Sequence, residues 1–202
     1  MAVTLDQIKE LRKRTGVGIH QVKEALQNSD GDMEKAILYL REKGMAKAAK
    51  RADKSADYGT IGVYVHGDGN LATMVEISSE TDFAARSDQF KELAHSIAMH
   101  VAASDPQYVN IEDIPENILE NEKKVFKKEL EGKPENVQEK ILEGKLSKFY
   151  EEIVLMEQVY VKDDSKKIKD VINDAVASIG EKIEIGRFAR IQIAGGGSSC
   201  GF

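Results

Sequence analysis

The chain reads as an α+β protein, with a small, mainly antiparallel sheet covered by helices and a helical bundle ahead of it. Three observations carry that prediction. Ile61/Val63/Val65 and Leu71/Thr73/Val75/Ile77 alternate at period two around the turn residues Gly67-Asp68-Gly69-Asn70, the pattern of a β-hairpin. Phe90, Leu93, Ala94, Ile97, Val101 and Ala102 then recur at helical spacing. Far downstream, Ile183, Ile185, Ala189, Ile191 and Ile193 alternate again as a closing strand.

Taken in order, residues 1–45 predict three short helices. Thr4-x-x-Gln7 has the form of a capping box, followed by Leu5, Ile8 and Leu11 on one side. Thr15-Gly16-Val17-Gly18 breaks that helix, and Ile19, Val22, Ala25 and Leu26 define a second. Asp30-Gly31-Asp32 is a turn ending in an N-cap, and Met33, Ala36, Ile37 and Leu40 mark a third helix, closed by Gly44. So few residues bury only a small core, which suits a docking bundle better than a catalytic unit. Residues 46–57, rich in Ala and Lys, predict a polar helical linker.

Residues 58–194 form the expected α+β core, and Gly195–Ser199, within 195–202, a flexible tail. Thr81 or Asp82 can cap a helix at the strand–helix junction, and Ser87 can cap again before Phe90. Ser104-Asp105-Pro106 ends the long helix. Pro115 opens another, which Gly132-Lys133-Pro134 stops. Two shorter helices follow, on Val137/Ile141/Leu142 and on Leu146/Phe149/Tyr150/Ile153. Val159-Tyr160-Val161 is a strand candidate, and Asp164 or Ser165 caps a helix ending at Gly180.

Charge and composition narrow the function. The chain of 202 residues has 41% hydrophobic and 32% charged residues, with no run of about 20 apolar residues to cross a bilayer. Residues 1–56 carry 12 basic against 8 acidic side chains, and the other 146 carry 17 against 27, for a net charge of −6. This asymmetry argues for two units with different surfaces. The +4 excess of the first is too small for a nucleic-acid face. The single Cys200 excludes an intrachain disulfide and a multi-cysteine zinc site, and a cytoplasmic location is the default. Chemistry is hard to place. Thr15-Gly16-Val17-Gly18 lacks the glycines and strand of a phosphate loop, and the serines lack a nucleophile-elbow context. His95 and His100, five apart, do not share a helical face as metal ligands four apart would. Neither a metal nor a cofactor is expected.

The stretch Ser78–Arg86 joins hairpin to helix, and Phe83 within it lies outside the helical stripe that starts at Phe90. Its ring either tucks back over the hairpin or projects, with Asp82, toward a partner.

Several segments together resemble the elongation factor Ts family: Leu11-Arg12-Lys13-Arg14-Thr15-Gly16-Val17-Gly18, Lys23-Glu24-Ala25-Leu26, Lys47-Ala48-Ala49-Lys50, Thr81-Asp82-Phe83-x-Ala85-Arg86, Ile97–Ser104 and Glu139–Phe149. The resemblance spans residues 1–193. It implies a guanine-nucleotide exchange factor for elongation factor Tu, without catalytic chemistry of its own. It implies an N-terminal bundle similar to ubiquitin-associated domains, docking through Leu11, Arg12, Thr15, Gly16, Ile19 and His20. Asp82 and Phe83 fall where the family presses on the magnesium region of the GTPase, and His66, Thr81 and Ala84 complete the implied partner-binding set. The chain departs from the family at Asp68, where Gly is common, and at Asn70, where Arg is common. Ser78-Ser79 stands for Asn-Cys and Ala84 for Val. Having one hairpin–Thr-Asp-Phe–helix unit, it resembles the short form, which implies a homodimer. The closing strand is the expected pairing element, and Cys200 either cross-links two tails under oxidation or is an incidental thiol. The rival reading is a binding adaptor, an interaction bundle tethered to a second domain with no exchange activity.

Overall fold

The computed structural model describes residues 3–130 and 134–193. Cys200, the glycine-rich tail and the Gly132-Lys133 stop signal lie outside the described residues.

The first helix, α1 (Leu5–Thr15), begins with the expected capping box: the Thr4 hydroxyl accepts from the Gln7 N–H, and the Gln7 side chain accepts from the Thr4 N–H. It ends at Gly16, whose φ of 67° places it in the left-handed region that glycine tolerates best. α2 (Ile19–Asn28) follows, then a turn through Asp30 and Gly31, both with positive φ. The Asp32 carboxylate accepts from the N–H groups of Glu34 and Lys35 to start α3 (Met33–Lys50). Leu11, Val17, Val22, Leu26 and Leu40 form the buried centre of these helices.

Gly44 does not close α3. The helix runs through it to Lys50, so residues 45–50 belong to the helix that began in the bundle. The physical reason lies far away in sequence. Gly44 is buried against α8 (Ile168–Ile179), where a Cβ would come to 3.0 Å from the Ala177 Cβ and 3.2 Å from the Asn173 carbonyl oxygen. The lost helix propensity, about 1 kcal/mol relative to alanine, is the cost of this close crossing. Ala48, a turn further on, packs on the main core.

The sheet has the order β1-β2-β5. β1 (Tyr58–His66) and β2 (Leu71–Ser79) form the predicted hairpin, and β5 (Ile183–Gln192) pairs antiparallel with β2. The β2–β5 register shifts between Val75 and Ile77, a bulge in the middle of β2. α5 (Asp88–Ser104) covers one face with Phe90, Ala94, Ile97, Ala98 and Val101, all buried, and Thr73 donates its hydroxyl to the Ala98 carbonyl at 2.7 Å. β1 seats on α5 at Gly62. The opposite face is open. The alternating residues Ile61, Val63 and Val65 point there, beside Met74 and Ile191, and all five are exposed.

α6 (Glu116–Glu129) and α7 (Glu135–Ile153) form a charged helical pair, joined by a Lys145–Glu129 ion pair and by Lys145 over the Phe126 ring. α7 is one helix where two were expected, because Gly144 sits on an exposed turn and does not break it. The expected cap at Asp164 or Ser165 is also displaced. Asp163–Lys167 is a strand, β4, paired with β3 (Val159–Tyr160), and α8 starts at Ile168. Salt links from Lys167 and Lys169 to Glu157 and Glu151 hold this charged hairpin in place, a long-range reason that no local propensity reveals.

Behind the hairpin lies a buried polar knot. The Val161 N–H donates to His100 Nδ1 at 3.3 Å, so Nε2 carries the proton and donates to Gln158 Oε1 at 3.0 Å. The Gln158 amide donates in turn to the carbonyls of Ser104 and Glu152. Burial holds the His100 imidazole below its ordinary pKa.

Candidate functional site

The strand–helix junction is built so that one aromatic ring has nowhere to go but outward. β2 ends at Ser79, and the short helix α4 (Asp82–Arg86) starts three residues later with Thr81 as its cap. Thr81 uses every polar atom it has. Its carbonyl accepts from the Ser79 hydroxyl at 3.0 Å and from the Ala85 N–H at 3.3 Å. Its hydroxyl accepts from the Ala84 N–H at 3.3 Å while donating to Glu181. Ala84 and Ala85 turn inward and are buried. Ser87 then caps α5 by accepting from the Phe90 N–H.

With Ala84 and Ala85 facing in, Phe83 faces out, with 83% of its surface exposed. It does not tuck over the hairpin. Asp82 beside it is half-buried and pairs with Arg86 one turn on at 3.3 Å. The aromatic ring is thus bare beside a carboxylate, on a junction whose Thr81 takes part in five hydrogen bonds.

The other site residues fall in two places. Arg12 and His20 are exposed and Ile19 is 55% exposed around the α1–α2 corner that Gly16 makes. Leu11 is fully buried in the bundle and Thr15 donates its hydroxyl to the Leu11 carbonyl, so these two shape the corner rather than present a side chain. The corner lies against the start of α5: a Cβ on Gly16 would reach within 3.6 Å of the Gln89 amide, which itself donates to the Ser178 hydroxyl at 2.7 Å. His66 is exposed and its ring hydrogen-bonds the Tyr64 hydroxyl. It pairs with Leu71 at the turn end of the hairpin, whereas Ser79 pairs with Tyr58 at the other end. Eight strand residues of about 3.3 Å each separate the two ends, so His66 and Phe83 do not share a site.

Sequence reasoning missed the residues that brace the junction, Arg51, Glu80, Glu181 and Lys182. Glu80 accepts from the Lys182 N–H at 2.7 Å and pairs with Arg51, and these two contacts hold its carboxyl below the ordinary pKa. Glu181 lies a hundred residues from Thr81 in the chain, so no spacing rule could pair them.

An open cleft of about 710 Å³ separates the first three helices from α5 and α8. Its charges are matched within it, Arg14 with Glu34 and Lys166 with Asp174, and it concentrates neither sign. Among the described residues no group of His, Cys, Asp and Glu is arranged to hold a metal ion, and no helix is long and apolar enough to cross a membrane.

Comparison with known proteins gives the family. The family model described as elongation factor TS matches residues 6–177. The elongation factor Ts of Maridesulfovibrio salexigens is 50% identical over 196 residues, covering 96% of this chain and 95% of the relative. That of Thermotoga neapolitana is 49% identical, covering 96% and 98%. That of Herpetosiphon aurantiacus is 48% identical, again covering 96% and 98%. A junction that presents Phe83, a helical corner at Gly16 and matches that run nearly end to end lead to one conclusion: the chain belongs to the elongation factor Ts family.

Proposed function

We propose that this translation elongation factor binds elongation factor Tu and promotes release of its GDP, allowing GTP to rebind. The observation that carries the reading is the bare Phe83 ring on its braced junction. A GTPase holds GDP through phosphate contacts and a magnesium ion that neutralises them. A rigid aromatic and a carboxylate pressed against that region displace the ion's ligands and weaken the grip on the nucleotide. No general base or nucleophile is needed, so the factor is an exchange factor and performs no bond chemistry. By linkage, it must hold the nucleotide-free GTPase more tightly than the loaded one, and nucleotide must in turn loosen the factor.

Residues 1–45 act in this reading as a docking bundle similar to ubiquitin-associated domains, with Arg12, Ile19 and His20 as its contact residues on a corner shaped by Leu11, Thr15 and Gly16. Residues 46–57 join it to the core of 58–194, where Thr81, Asp82, Phe83 and Ala84 form the wedge and His66 makes a separate contact. The factor works in the cytoplasm and does not touch nucleic acid. Two copies pair through the sheet, whose open face is apolar and whose strands β1 and β5 are both edges.

The test is stopped-flow release of fluorescent GDP from elongation factor Tu, with the full chain and with Phe83→Ala. Wild type is expected to accelerate release. Burying a phenylalanine ring is worth about 2–3 kcal/mol, so the variant should lose about 30-fold or more of that acceleration. Because the ring is exposed, its thermal stability should stay within about 0.5 kcal/mol of wild type. No acceleration by wild type, as the adaptor reading requires, or a variant as fast as wild type, overturns the proposal.

A further inference from the structure

Around the wedge, two carboxylates reach across to each other's loops. Glu181, in the loop from α8 to β5, accepts from the Thr81 N–H at 3.0 Å through one oxygen and from the Thr81 hydroxyl at 2.7 Å through the other. Glu80, in the loop from β2 to α4, accepts from the Lys182 N–H at 2.7 Å. Each loop therefore donates backbone to the carboxylate of the other, and the pair forms a reciprocal clasp.

A third segment joins it. Arg51, just past the end of α3, pairs with Glu80, and the Lys182 ammonium donates to the carbonyls of Ala52 and Lys54 at 2.7 and 2.8 Å. The helix that starts in the bundle thus ends on the residue beside the wedge.

We infer that Glu181 and Glu80 are positioning residues for exchange: Glu181, through Thr81, fixes the direction of Phe83, and Glu80, through Arg51 and the Lys182 N–H, ties that direction to the helix carrying the docking bundle. This rests on the exchange reading above. Charged hydrogen bonds are the strong ones in proteins, and Thr81 donates two to one carboxylate. Without them the hydroxyl is free to rotate, and the cap of a five-residue helix loosens just where the ring projects. A wedge acts only if it stays stiff while the partner's ligands yield. The clasp therefore governs the maximal rate, whereas the bundle governs the encounter.

The test is GDP release under Glu181→Ala and Glu181→Gln, each in the wild-type chain and in Phe83→Ala, at a series of factor concentrations. Expected is a maximal rate about tenfold lower for Glu181→Ala, with the half-saturating concentration within about twofold. Glu181→Gln, whose amide oxygen can accept one of the two bonds, should lose only about threefold. In the Phe83→Ala background neither change should cost anything further, because the group being positioned is gone. A general structural role would lower rate and affinity together and would add to Phe83→Ala. A Glu181→Ala rate within twofold of wild type, an equal loss with and without Phe83, or a change confined to the half-saturating concentration overturns the clasp. If circular dichroism shows Glu181→Ala unfolded, Glu181→Gln decides alone: a threefold fall that vanishes with Phe83→Ala supports the inference, and an unchanged rate overturns it. Phe83→Ala at wild-type rate instead removes the exchange reading itself, and the clasp with it.

Discussion

Two glycines should respond to the same substitution with opposite signs. At Gly62, on β1, an added Cβ would overlap the Ala94 carbonyl group of α5 and sit 3.0 Å from the Ala94 Cβ. Both obstacles belong to a helix that is packed on the sheet by Phe90, Ala94, Ile97 and Val101, so neither can swing aside. Strand and helix must part by about 1 Å, and a gap of that size forfeits roughly a quarter to a half of the facing dispersion energy. For an interface worth about 8 kcal/mol of such contacts the loss is about 2–4 kcal/mol, at the top of the usual range for overpacking. At Gly144, exposed on α7, nothing lies within 4 Å of the added methyl. There alanine gains only its better helix propensity, about 1 kcal/mol. Urea and thermal unfolding measure both. Gly62→Ala should lower Tm by about 6–12 °C and Gly144→Ala should raise it by about 2–4 °C. A Gly62→Ala protein within about 0.5 kcal/mol of wild type would refute the claim that the strand rests on the helix backbone at this point.

Two further outcomes are expected. Folded His100 is held neutral while an unfolded imidazole takes up a proton below about 6.5, so stability is full above that pH and falls as pH drops toward the lowered native value. Urea melts at pH 7.5, 6.0 and 5.0 should show a slope approaching about 1.4 kcal/mol per pH unit, and His100→Gln should flatten it; a wild type that is flat over this range would remove the buried neutral imidazole. Sedimentation at micromolar concentration should give twice the chain mass with or without reductant, and Val63→Lys, on the open sheet face, should give the monomer. A wild-type monomer would remove the paired sheet, and a dimer lost on reduction would move the role to Cys200.

What was legible in the sequence was whatever is decided within a few residues. The capping box at Thr4, the glycine stop at Gly16, the hairpin turn and the caps at Thr81 and Ser87 all depend on neighbours, and all form as read. The α+β class followed from two periodicities that no other arrangement satisfies so simply. What was misread depends on distant partners. Gly44 looks like a stop until α8 is laid against it, and Asp163–Lys167 looks like a helix cap until Glu151 and Glu157 supply its counter-charges. At the site, the sequence marked Phe83 as off the apolar stripe but left its direction open. The inward turn of Ala84 and Ala85 settles that direction, and the bracing carboxylate of Glu181 comes from the far end of the chain.

The continuity of α3 makes the number of residues between its two ends a property of the proposed site. Leu40 is fixed in the bundle and Gly44 against α8, a little over one helical turn apart. One residue inserted between them would swing the bundle by about 100° and lift it by about 1.5 Å, with every side chain of the docking corner and of the wedge still present. Such a chain would keep both halves of the proposed recognition surface and lose their phase. Length in this stretch is therefore as constrained as identity, and a chimera that exchanges bundles between relatives has to join them at the same helical angle.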